Sequence, residues 1–258
     1  MTNQKNGETA QSVERAFSLL DTLRDAGHPM SVGDVAHALD MSTTTVHRLL
    51  TTLKNCGVVA QDPHTRRYYL ALKLLLYGKA VLDRYDWRNR AHPLLGELSR
   101  QAGETVFMGI LDNFELVYID HVDSLDHTLR MTPQIGRRQD AHTTALGKVL
   151  LAHTSPEELE PFLKRSDLPR RTVHSITSAT LLRNELEKIR ERGYGFDQQE
   201  SEIGICCIAA PIRGIGGGVV AAISISGPSA RMEMKGMDAE LKKCLLATAA
   251  QISEIAIV

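Results

Sequence analysis

"MSTTTVHRLL", Met41 to Leu50, sets three threonines directly before a run with helical periodicity. β-Branched hydroxyl residues are mediocre helix formers, so three of them at a helix start ask for a reason. Either Ser42 caps the helix and the threonines are merely tolerated in its first turn, or their hydroxyls face a ligand. Val46, Leu49, Leu50 and Leu53 form the apolar stripe of this helix, and Asn55 and Gly57 end it. The opposite stripe, Thr44, His47, Arg48 and Thr51, with Thr43 beside it in the first turn, is polar throughout.

Upstream, Val13, Ala16, Phe17, Leu20 and Leu23 predict a first helix with one apolar stripe, stopped by Gly27 and Pro29. Ser31 caps a short second helix marked by Val32, Val35, Ala36 and Leu39. Two short helices joined by a tight turn predict a helix-turn-helix. Downstream, "VVAQDPHTRRYYL" predicts a hairpin wing turning at Asp62-Pro63, with Arg66 and Arg67 at its rim. A recognition helix inserts its N-terminal residues into the major groove while nearby basic groups hold phosphates. Ser42, Thr43, Thr44, Thr45, His47, Arg48, Arg66 and Arg67 are therefore the candidate DNA contacts.

The formal net charge of −1 argues against a generally basic nucleic-acid binder, but the average hides an asymmetry. Between Ser42 and Lys73, Arg48, Lys54, Arg66, Arg67 and Lys73 stand against the single acid Asp62. With 258 residues, 43% hydrophobic and 24% charged, the chain suits a small and a larger globular domain. No apolar run approaches the roughly 20 residues that span a bilayer, and the polar N-terminus does not resemble an export signal. A cytoplasmic location without membrane contact is expected. The four cysteines show neither CxxC nor Cys/His zinc spacing, so neither disulfides nor metal are expected.

Leu72, Leu75, Leu76 and Leu82 continue as a connector helix, interrupted at Gly78 and ending near Asp86, with its apolar side expected to pack coreward. Then come a helix from Pro93 to Ala102, strands "TVFMGIL", "ELVYID" and "TLRM", and a helix at "TTALGKVLLAH". A surface helix "TLLRNELEKIRERG", a hairpin of "CCIAAPI" and "VVAAISIS" turned through "RGIGGG", and a C-terminal helix complete the pattern. "GIGGG" lacks the following Lys-Ser/Thr of a P-loop and precedes a strand. The fold class is α+β, with a mainly antiparallel sheet in the second domain.

In "VVAAISIS", strand alternation puts Ile223 and Ile225 on one face and Ala222, Ser224 and Ser226 on the other. Small hydroxyls fit a cavity wall better than a solvent face. Cys207 and Ala209 share parity in the neighbouring strand, and Asp197 precedes the polar loop "QQESEIG". A pocket is expected there.

Across essentially its whole length the chain resembles the IclR family of bacterial transcription regulators. The stretches that carry the resemblance are "SVERAFSLLDTL", "STTTVHRLLTTLKNCGVV", "RRYYLALKLL", "AHTTALGKVLLA", "RERGYGFDQQESEIGICCIAAPI" and "VVAAISISGPSARM". The resemblance implies a winged helix joined by a linker helix to a GAF-like effector-binding domain, assembled as homodimers or dimers of dimers on palindromic operators, without enzyme activity. It implies a repressor of a catabolic operon, modulated by a small carboxylate bound near the backbone of Ala145 and Leu146 and the side chains of Asp197, Cys207, Ser224 and Ser226. "LRMTPQIGRR" with "TTALGKVLLA" is similar to the branch governing 2-keto-3-deoxygluconate and sugar-acid catabolism. Thr143 after His142, and "CC" for a single cysteine, depart from the common pattern.

The implied boundaries are a tail 1–11, a winged helix 12–71, a linker helix 72–86 and an effector domain 87–258. The rival reading is a thiol enzyme with Cys207 as nucleophile and His142 as base. It needs a depressed thiol pKa, for which the sequence offers no cause.

Overall fold

The computed structural model describes residues 10–124, 135–165, 167–234 and 239–256. The chain divides after Arg84 into two compact units.

The first unit packs α1 (Gln11–Ala26), α2 (Val32–Ala38) and α3 (Thr43–Asn55) against a hairpin of β1 (Val59–Gln61) and β2 (Tyr68–Leu70). Its core is Leu19, Leu23, Val35, Val46, Leu50 and Leu53 with Val59 and Tyr68 of the hairpin. Gly27 ends α1 in the left-handed conformation at φ 65°. A reciprocal capping box between Ser31 and Asp34 starts α2. The α1 face differs from expectation. Ala16, Leu19, Leu20 and Leu23 turn inward, whereas Val13 and Phe17 are 52% and 63% exposed. Leu19 completes an i, i+3, i+4, i+7 stripe from Ala16 that packs better than the one through Val13 and Phe17.

The connector α4 (Leu74–Leu82) runs through Gly78 without interruption, and Asp83–Tyr85 follow as a 3-10 turn. The expected coreward packing is absent: no residue of α4 is buried, and Leu72, Leu75 and Leu76 are 81%, 66% and 67% exposed.

In the second unit α5 (Trp87–Ala102) begins six residues before Pro93, because Trp87 and Ala91 are fully buried and draw the preceding turn into the helix. The described strands β3 (Thr105–Asp112), β4 (Glu115–Val122), β5 (Arg138–Asp140), β6 (Gly195–Gln198), β7 (Ile205–Arg213) and β8 (Val219–Pro228) form one antiparallel sheet in the order β5-β4-β3-β8-β7-β6. "TLRM" lies outside the described residues. The sequence pattern does not predict the short β5, nor two helices, α7 (Pro156–Arg165) and α9 (Ser229–Met234).

Against one sheet face packs α6 (Ala145–Ala152), buried along its whole length. Outside it lie α7 and α8 (Ala179–Arg192), while α10 (Ala239–Ile255) contacts α5 and β7. "TLLRNELEKIRERG" is a half-buried helix: Leu182, Leu186 and Ile189 face the core. Gly147 permits the tight entry into α6, since a Cβ there would lie 2.2 Å from the Ala141 carbonyl oxygen. Overpacking of this kind costs about 1–3 kcal/mol, so Gly147→Ala should destabilise the second unit by at least that much in denaturant unfolding. A loss below about 0.5 kcal/mol, the scale of an ordinary surface change, would mean that α6 shifts freely.

Candidate functional site

The helix face and the sheet-lined cavity are distinct sites. In α3, Ser42 Oγ accepts the Thr45 backbone N–H at 3.2 Å and lies 2.9 Å from Thr45 Oγ1. Ser42 and Thr45 thus build the cap. Thr43, Thr44, His47 and Arg48 are exposed, and their side chains have no partner among the described residues. The capping answer holds for Ser42 and Thr45, and the hydroxyls of Thr43 and Thr44 are left facing solvent.

The wing turn is held by Asp62, whose Oδ1 accepts the N–H groups of Thr65 (2.7 Å) and His64 (2.9 Å). Those bonds hold its carboxyl below the usual range. Arg67 Nη1 donates to the Pro29 carbonyl at 3.1 Å and to Asp34 Oδ2 at 3.2 Å. Lys54 Nζ donates to Gln61 Oε1, and Lys73 Nζ to the Cys56 carbonyl. Of the five basic residues in this stretch, three hold the unit together. Arg48 and Arg66 remain open to an anion among the described residues.

The cavity, about 450 Å³, lies between the sheet, the start of α6 and the loop after β6. Register decides its polar wall. Asp197, Cys207 and Ser226 occupy one cross-strand row on β6, β7 and β8. In the next row Gly195, Ala209, Ser224 and Phe107 stand side by side. Thr144, Ala145 and Leu146 close the cavity from α6, and all the candidate effector residues line it. Ser224 and Ser226 are buried, 3.3 Å apart between hydroxyl oxygens, with Cys207 as a further neighbour of Ser226. Neither hydroxyl is saturated.

Asp197 organises the covering loop. Its Oδ1 accepts from the Glu200 N–H at 2.7 Å, and its Oδ2 from the Ser201 hydroxyl at 2.6 Å. Burial nevertheless raises its carboxyl above the ordinary value. A β-bulge between Met108 and Gly109 carries a residue that alternation alone would misplace. It pairs Tyr118 with Gly109, and the Tyr118 ring meets Phe107 edge-on at 5.4 Å in the cavity wall. No sequence signal marked that bulge beyond Gly109 itself.

The thiol-enzyme reading finds no support in this geometry. Burial, then the Asp197 charge, push the Cys207 thiol well above its usual value. His142 Nε2 instead lies 3.1 Å from the Pro169 carbonyl, outside the cavity lining, and burial lowers its pKa. No three His, Cys, Asp or Glu side chains gather as a metal site among the described residues.

Two family models match the chain: the IclR helix-turn-helix domain over residues 12–63 and the bacterial transcriptional regulator IclR C-terminal domain over residues 79–254. The HTH-type transcriptional regulator KdgR of Escherichia coli is 38% identical, covering 88% of this chain and 86% of its own. The IclR structure from Thermotoga maritima superposes with a TM-score of 0.75 at 34% identity over 95% of this chain and 98% of that one. An IclR homolog from Microbacterium hydrocarbonoxydans, complexed with 4-hydroxybenzoate, shares the fold at a TM-score of 0.79 and 21% identity, covering 95% and 98%.

A protonated, buried Cys207 should alkylate slowly. With iodoacetamide at pH 7.5, the exposed Cys56 should react at least about tenfold faster than Cys207 by peptide mass spectrometry. Equal rates would restore the thiolate reading.

Proposed function

The chain belongs to the IclR family of bacterial transcriptional regulators, proteins that bind DNA rather than catalyse reactions, and from that premise we propose how its two sites divide the work. Thr43, Thr44, His47 and Arg48 read base edges in the major groove, and Arg66 holds phosphate at the wing. Ser42 and Thr45 set the angle of α3, and Arg67 holds the wing against α2. The winged helix spans 12–71, the linker helix 72–86 and the effector domain 87–258.

The exposed apolar side of α4 supports a homodimer or dimer of dimers on a palindromic operator, since unburied Leu72, Leu75, Leu76 and Val81 call for a cover. The protein represses a catabolic operon in the cytoplasm. None of its described helices is long and apolar enough to cross a membrane.

The second site binds a small carboxylate, a sugar acid or keto acid. One observation carries this reading: Ser224 and Ser226, buried and unsaturated, face a cavity rather than packed core. The N–H groups of Ala145 and Leu146, at the positive end of α6, favour an anionic oxygen there. Ligand binding alters operator affinity only by its differential affinity for the two states.

Arg48→Ala should lower operator affinity by about 1–3 kcal/mol and relax specificity, while Arg66→Ala should weaken all sequences alike and reduce the salt slope by about one. Mobility-shift titration over several salt concentrations checks this. Unchanged operator affinity for Arg48→Ala would overturn the recognition-helix assignment.

Losing a hydrogen bond to a charged ligand costs about 1.5–3 kcal/mol, so Ser224→Ala should weaken effector binding about ten- to a hundredfold in calorimetry. Operator affinity without effector should stay unchanged. Wild-type effector affinity in this variant would place the ligand elsewhere.

A further inference from the structure

At the opposite side of the cavity from Asp197, the sheet supplies a cation. Arg137 precedes β5, and its backbone continues the β4–β5 ladder: the Tyr118 N–H donates to the Arg137 carbonyl at 3.1 Å. That register sets Arg137 opposite Tyr118, which the bulge has turned into the cavity wall. Gln139 joins them, its Oε1 accepting the Tyr118 hydroxyl at 2.7 Å. All three line the cavity. Among the described strands β5 and β6 are the two edges of the sheet, so Arg137 and Asp197 enter the cavity from opposite edges.

Two neighbouring arginines are neutralised. Arg138 pairs with Asp112 and Glu115, and Arg171 with Asp140. Among the described residues no carboxylate pairs with Arg137. A guanidinium has five donors and no acceptor, so its complement is an anionic, fork-shaped group. The cavity has room for one at distance from the serines. At about 30 Å³ per water its volume equals about fifteen waters. A three-carbon keto acid, with about six heavy atoms, would leave more than half of that unfilled.

Resting on the effector reading above, we infer that Arg137 is a specificity-determining residue that binds a second anionic group of the effector. The effector is then an oxygen-rich acid of five to seven carbons, with one carboxylate at the Ser224 and α6 end. At the Arg137 end it carries a second carboxylate or a phosphate ester. Gln139, whose carbonyl is taken by Tyr118, offers its amide N–H groups to the same oxygens.

Calorimetry on the full chain tests this with gluconate, glucarate and 6-phosphogluconate, and with the galactonate and galactarate pair. Wild type should bind at least one two-anion acid about tenfold tighter than its one-anion parent. Glucarate and 6-phosphogluconate separate carboxylate from phosphate. Arg137→Gln should abolish that preference while leaving the parent's affinity within threefold, and Arg137→Lys should restore part of it. Because Arg137 is exposed, both variants should melt like wild type.

The inference falls if wild type binds none of these acids, if it prefers the one-anion acids, or if Arg137→Gln keeps the preference. Ser224→Ala separates the two claims. If it weakens every ligand while Arg137→Gln changes nothing, the cavity remains the effector site and only the role of Arg137 is lost. If neither variant changes any affinity, the effector site itself is elsewhere.

Discussion

A lysine with 1% of its surface exposed sits in the middle of α6, and the second unit is arranged around satisfying it. Lys148 Nζ pairs with Glu200 Oε1, and Glu200 lies in the loop that covers the cavity. A buried charge without a partner costs several kcal/mol, so this pair ties the loop to the helix. Burial pushes the Glu200 carboxyl up, opposed by Lys148. The pair is a constraint on conformation more than a source of stability.

The rest of the network follows from that tie. Thr172 and Ser175 donate their hydroxyls to the Gln199 and Glu200 carbonyls, each at 2.7 Å. Asp197 gathers the next N–H and hydroxyl groups of the same loop. Gly195 lets β6 approach α6, since a Cβ there would stand 2.9 Å from Val149 Cγ2. One helix therefore fixes both the depth of the cavity and the position of its cover. An effector that moved the loop would act on a joint already shared by α6 and β6.

The DNA-binding unit shows a different division of labour. Three of the five residues in its charge cluster, Lys54, Arg67 and Lys73, are bonded within the unit. Counting basic residues therefore overstates how many are without a partner in the unit, because a local charge excess is the same number whether the side chains point to solvent or to a carbonyl. The same holds for hydroxyls: Ser42 and Thr45 serve the helix end, Thr43 and Thr44 do not.

Local periodicity was enough for α2, α3, the wing, and the alternation of β8 that put Ser224 and Ser226 on one face, since each depends on neighbours within a turn or a strand. Long-range contacts decided the rest. The inward face of α1 depended on what α2, α3 and β2 offered it, and α4 proved exposed because none of the described residues of its own unit buries it. Asp197, Cys207 and Ser226 became one row only through strand pairing, and Tyr118 reached the cavity through a bulge whose partner lies on another strand. Arg137 reads in sequence as one of two adjacent arginines. That one is neutralised and the other is not follows from which side of the ladder each occupies, and alternation in a three-residue strand is set by its partner, not by its own sequence.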